Sequence, residues 1–157
     1  MTAAPAKTLP ACAGPARRHD WMLQLAALVS ARLAAPFKWG SNDCCLFAAD
    51  AVFAVTGQDP AADLRTSYTS ELGAARALQA HGGITGLACD RLGPVIRADL
   101  AQPGDVGLVS MMGRPSLSVC LGQQFMAPGT CGLVVVPAAD VQRAWRCTKP
   151  IKGVPHG

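Results

Sequence analysis

Phe37-Lys38-Trp39-Gly40-Ser41-Asn42-Asp43-Cys44-Cys45-Leu46-Phe47 is the stretch that decides how this 157-residue chain folds. Phe37 to Gly40 reads as a short extended piece and a turn. Ser41, Asn42 and Asp43 are residue types favoured at helix N-caps, because their side chains accept from the free N–H groups of a first turn. From Cys44 to Val55 the spacing of Cys45, Leu46, Ala49, Val52 and Phe53 predicts a largely buried helix. Thr56-Gly57 closes it with a glycine cap. Cys44 therefore falls in a helix's first turn, where unpaired N–H groups carry about half a positive charge. That field favours a thiolate, and the same N–H groups can steady an oxyanion. The plainer alternative is that Cys44 and Cys45 are small buried residues at a helix start.

Upstream, Arg18 to Ala35 reads as a first helix. Trp21, Leu25, Leu28, Val29 and Arg32 keep helical spacing, Asp20 is placed to cap it, and Ala35-Pro36 ends it. Downstream, Gln58 to Tyr68 is a polar connection. Ser70 to Ala80 is a third helix stopped by His81-Gly82-Gly83, and Ile84 to Leu92 a shorter fourth. The texture then changes. Pro103-Gly104-Asp105 turns into a strand at Val106 to Val109. Further strands follow at Leu117 to Leu121, Gln124 to Met126 and Gly132 to Val136, and Val141 to Cys147 is a last short element carrying Trp145. Helices first and hairpins second predict an α+β domain, helices packed on one antiparallel sheet.

Half the residues are hydrophobic and 15% are charged, which excludes a disordered chain. Only 5% are aromatic, so alanine-rich, closely packed helices are expected to build much of the core. A net charge of +4 without a basic run leaves nucleic acid no footprint. Met22 to Ala35, the longest apolar stretch, is interrupted by Gln24, Ser30 and Arg32 and falls short of the roughly 18 residues of a membrane span. Met1 to Pro15 lacks the apolar run of a secretory signal. Residues 1–16 thus read as a flexible lead-in, 17–147 as one domain and 148–157 as a tail. Seven cysteines is an odd number for a secreted disulfide framework. The adjacent pair and the lack of any C-x-x-C argue against zinc. Cys12, Cys89, Cys120, Cys131 and Cys147 show no ligand spacing. No metal or cofactor is expected, and the expected setting is a reducing cytoplasm with most thiols buried.

Phe37, Trp39-Gly40, Asp43-Cys44, Leu46-Phe47-Ala48-Ala49-Asp50, Thr56-Gly57, Asp59-Pro60-Ala61, Leu64-Arg65, Tyr68, Gly82-Gly83, Gly104-Asp105-Val106, Leu117 to Gly122, Gly132-Leu133 and Ala144-Trp145-Arg146 form one ordered set. Together they resemble the NlpC-like branch of the papain-like cysteine peptidases found in tailed phages, prophages and gene transfer agents. Its genes lie among those for tail tip and hub proteins. The resemblance implies a papain-like fold over residues 17–147, with Cys44 at the nucleophile position and Trp39, Asp43 and Cys45 about the site. It also implies tail tip and hub proteins as partners, and a path from the host cytoplasm during assembly to the virion tail tip.

The chain departs from the pattern at one place. Such a peptidase needs a histidine beside the thiol, since sulfur must lose a proton and the leaving amine must gain one. Laying the pattern over Ser116-Leu117-Ser118-Val119-Cys120-Leu121-Gly122 puts Ser116 where the histidine belongs. Serine is no base near neutrality. Phe125 to Pro128 offers nothing to orient an imidazole. The other histidines are His19 before the first helix, His156 in the tail and His81. At the end of the third helix, His81 reads as a charge on the helix dipole or as a displaced base. Of the remaining polar and aromatic residues, Asp43 reads as the helix cap and Asp50 as paired or exposed. Asp105 reads as a turn residue bonding backbone N–H groups, and Trp39 and Trp145 as anchors.

Two functions stay open. One is a tail assembly or tail-tip protein that keeps the peptidase fold with an impaired site. The other is an active cysteine peptidase or amidase that cuts peptidoglycan stem peptides during genome entry.

Overall fold

The computed structural model describes residues 16–148. Four helices come first: α1 (Trp21–Arg32), α2 (Cys44–Thr56), α3 (Glu71–Gln79) and α4 (Gly83–Arg91). Six strands follow: β1 (Val95–Ile96), β2 (Val106–Met111), β3 (Arg114–Cys120), β4 (Gln124–Gly129), β5 (Gly132–Pro137) and β6 (Arg143–Trp145). They form one antiparallel sheet in the order β1-β6-β2-β3-β4-β5. The fold is α+β, as the order of textures predicted. Among the described residues no helix is long and apolar enough to cross a membrane.

The second helix forms for the reasons its sequence gives. The Asp43 carboxylate accepts the Leu46 N–H at 2.9 Å, and Gly57 takes a left-handed φ of 78° and returns its N–H to Phe53 O. Between Cys45 and Val55 only Asp50 and Phe53 escape burial. The many alanines let this helix lie close on β3 and β4, with α1 against its other side. Its close partner is thus the sheet as much as a helix. Phe53, expected in the buried set, stands 48% exposed. It lies three residues after Asp50, on the one face of α2 that meets solvent.

Strand alternation divides the core in two. Val106, Leu108, Leu117 and Val119 face the helices, with Trp145 among them. Val109, Cys120, Phe125, Val136 and Val141 face the other way, under short 3-10 turns at Ala98–Leu100 and Ala138–Asp140. Gly107 points into this second core. A Cβ there would stand 2.8 Å from the Phe125 ring and 2.9 Å from Val141, so the ring occupies the space a side chain would need.

Several elements differ from the sequence reading. The first helix is shorter than Arg18 to Ala35, because the Arg18 N–H donates to Val55 O at 2.7 Å and holds the chain outside the helix. Asp20 makes no cap. Its carboxylate pairs with Arg18 and accepts from Gln24, both at 3.0 Å. The β2–β3 hairpin runs further than expected, to a turn at Met112-Gly113 with φ of 54° and 77°. That is the backbone of the mirror-image turn that joins twisted strands. β4 likewise continues to Gly129. β1 was unread in the sequence and β6 lies within the short element expected at Val141 to Cys147; β1 pairs with β6, and β6 with β2. Of the expected lead-in and tail only Ala16 and Thr148 are described; Cys12 and His156 lie outside the described residues.

Candidate functional site

The turn before α2 is tied down by one buried carboxylate. Asp43 accepts from Leu46 N–H at 2.9 Å, from Gly40 N–H at 2.9 Å and from the Tyr68 hydroxyl at 2.7 Å. Gly40 has a φ of 84°, and a Cβ there would sit 2.3 Å from Tyr68 O, so only glycine fits this crossing of chains. Burial pushes the Tyr68 phenol up, and its bond to Asp43 adds to the effect. Tyr68 is the chain's only tyrosine. The sequence showed it as part of the resemblance and not as the residue that reaches the Asp43 cap.

A second set of charges holds the same turn from behind. Arg32 donates to Asn42 Oδ1 at 2.8 Å and to Asp50 at 2.5 Å, and Asn42 donates to Pro36 O at 2.9 Å. Asp50 also accepts from Arg65 at 2.6 Å, and Arg65 pairs with Asp59 at 2.7 Å. Asp50 is thus paired, and it lashes α1 and the Gln58–Tyr68 connection to α2. The arginines that complete the set come from segments far apart in sequence, which is why spacing could not reveal it.

Cys44 stands half-buried as the first residue of α2, while Cys45 is buried. The Cys44 thiol is held down to about 7, first by the Cys45 thiol and then by the Ser116 hydroxyl and the Leu117 N–H, against burial and the charge of Asp43. The Cys45 thiol is pushed up, because it serves Cys44 as a donor and because it is buried. It lines an apolar cavity of ≈ 30 Å³ with Ala48, Ala61, Leu87 and Leu117. Neighbouring cysteines thus do opposite things: one is an acidic, half-buried thiol at the helix start, the other a core residue.

Ser116 is buried in β3 opposite Val109 of β2. β4 pairs with β3 only at Val119 and Cys120, so the first half of β3 is open on that side to the start of α2. Asp43, Cys44, Cys45 and Ser116 are brought together here. The N–H groups of Cys44 and Cys45 belong to the helix's first turn and have no carbonyl partner within it.

The other residues picked from the sequence lie elsewhere or act structurally. His81 sits at the corner between α3 and α4, where its charge acts on Asp63. The five strongest influences on the Cys44 thiol come from burial, Cys45, Ser116, Leu117 and Asp43. Trp39 is half-buried and meets Phe37 edge to face, ring centres 4.7 Å apart. Trp145 is fully buried. Phe125 to Pro128 lie in β4, where Phe125, Ala127 and Pro128 are buried. Cys120 and Cys147 are buried as well, but Cys89 and Cys131 are exposed. The expectation that most thiols are buried therefore holds for half of those described.

The site places an acidic thiol at the N-terminal end of a helix. A model of the family described as a domain of unknown function (DUF6950) matches residues 16–147. No curated protein and no solved structure matches the chain.

Proposed function

The chain belongs to the DUF6950 family, and from that premise we propose that it is a phage or prophage tail assembly or tail-tip protein. In this reading it has an NlpC-like, papain-like fold whose cysteine site lacks its general base. The observation that carries the reading is Ser116 against Cys44. The resemblance places the histidine of an active peptidase at Ser116, and Ser116 does act on the Cys44 sulfur. A nucleophile position kept beside a lost base is what a fold reused for docking would retain, because fold and activity separate readily. General acid–base help is worth roughly 100- to 10,000-fold, and a serine hydroxyl does not supply it. The partners are other tail tip and hub proteins. The site of action is the host cytoplasm during assembly, then the tail tip.

The test is particle formation from an inducible prophage that carries this gene. Deletion is expected to remove infectious particles, and Cys44→Ala to restore them when supplied in place. Loss of particles with Cys44→Ala, at normal protein level, would replace this reading with an active peptidase or amidase acting on stem peptides.

A further inference from the structure

We infer that α1 is the interface of a two-fold homodimer, pairing antiparallel with α1 of a second copy over the open apolar groove along its flank. Of the twelve residues of α1 only Leu25 is buried. Met22 is 66% and Leu23 74% exposed, side by side at the helix start. The groove has a volume of ≈ 440 Å³ and is lined by Trp21, Leu25 and Val29 of α1 together with Pro103 and Leu121. Its walls are braced. The Arg17 guanidinium lies over the Trp21 ring, 4.6 Å from its centre, and donates to Pro103 O at 2.7 Å. The groove is therefore part of the fold and needs no rearrangement to receive a side chain.

The helix itself carries the complement of this surface. From Trp21 to Ala31 it has no charged residue. Two identical charged faces repel, and this face is free of that cost. Its exposed residues run in pairs four apart: Met22 and Leu23, then Ala26 and Ala27, then Ser30 and Ala31. Residues at that spacing share one side of a helix. The large side chains thus stand at one end and the small ones at the other. A two-fold axis between Ala26 and Ala27 sets Met22 of one copy against Ala31 of the other, and Leu23 against Ser30. Large meets small in both directions, as a contact between identical patches requires. Alanines at the crossing let the two helix axes approach to about 8 Å.

The size of the contact sets its strength. Twelve residues make a helix about 18 Å long. Two such helices, with Pro103 and Leu121 at the edge, bury less than the roughly 1,600 Å² of a standard interface. The dimer is therefore weak, with a dissociation constant on the order of 100 μM, and the monomer prevails in dilute solution.

The experiment is sedimentation velocity of the full-length protein from about 5 to about 500 μM, a range that brackets so weak a contact. A reductant keeps the exposed Cys89 and Cys131 from cross-linking. The wild type is expected to shift from monomer to dimer across the range. Ala27→Glu sets two carboxylates beside the axis and is expected to weaken the dimer about tenfold or more. Ala27 is exposed, so the urea midpoint is expected to stay in place. Ala27→Lys is expected to act likewise, and an equimolar mixture of the two variants to dimerise again. A wild type that stays monomeric at the top concentration would overturn the inference. A dimer that Ala27→Glu leaves intact, or a mixture that does not recover, would overturn it as well, by placing the interface elsewhere. A monomeric wild type whose particles are lost with Ala27→Glu, at normal protein level, would give the groove to a tail protein and not to a second copy.

Discussion

Asp43 does two things to Cys44 that pull against each other. As the cap it fixes the first turn of α2 and so sets the thiol at the helix end, and as an anion it raises the thiol. Asp43→Asn keeps an accepting oxygen for the Leu46 N–H and removes the charge. The pH midpoint of Cys44 alkylation by iodoacetamide is therefore expected to fall below its wild-type position near 7. A midpoint that rises would mean that loss of the cap outweighs loss of the charge. Tyr68→Phe removes one hydrogen bond to that carboxylate. It is expected to cost about 1 kcal/mol in urea unfolding, with little change in the thiol midpoint. At this scale the sequence was informative where chemistry is local. The cap and the contrast between Cys44 and Cys45 follow from neighbours within one helix turn, whereas the arginines that pair Asp50 lie 18 and 15 positions away. Tyr68, which meets Asp43 across 25 positions, had no local signal.

Helices and long hairpins were legible because their patterns repeat within one element. Two- and three-residue strands have no period, so β1 went unread and β6 showed only as a short element of no stated type around Trp145. What creates them is the pairing of Val95 with Trp145 and of Trp145 with Val106. The start of α1 was misread for a related reason: the backbone bond from Arg18 to Val55 is a tertiary contact that overrides local preference. Within β2, Gly107 leaves the space that the Phe125 ring fills. Gly107→Ala is expected to destabilise the protein by about 1 to 3 kcal/mol through overpacking. Combining it with Phe125→Leu should cost less than the two changes added separately, because the smaller side chain frees the space. Strict additivity in a urea double-mutant cycle would show that the glycine has another purpose.

Across the whole molecule, the fully buried Asp105 joins parts that are distant in the chain. It accepts from Gln102 N–H and Cys147 N–H at 2.9 Å and from Arg146 at 3.1 Å, with Arg17 at 4.0 Å. The start of β2, the segment after β6 and the approach to α1 are thereby fixed to one another. Asp105→Ala strands these donors and is expected to cost about 3 to 5 kcal/mol, read as a lowered urea midpoint. The sequence placed Asp105 on a turn and foresaw bonds to backbone there; the arginine and Cys147 contacts came only with the fold. Neither Asp105 nor the Asp50 network touches the Cys44 sulfur, so the scaffold that shapes the site is separable from the chemistry it holds.

The most direct test of the central claim is release of stem peptides from purified peptidoglycan by the wild-type protein, set against Cys44→Ala. The account predicts no release above the Cys44→Ala level, because Ser116 stands where the proposal puts the lost base and a serine hydroxyl does not hand a proton to a leaving amine. Robust release by the wild type, abolished by Cys44→Ala and by His81→Ala, would contradict it and make His81 the base.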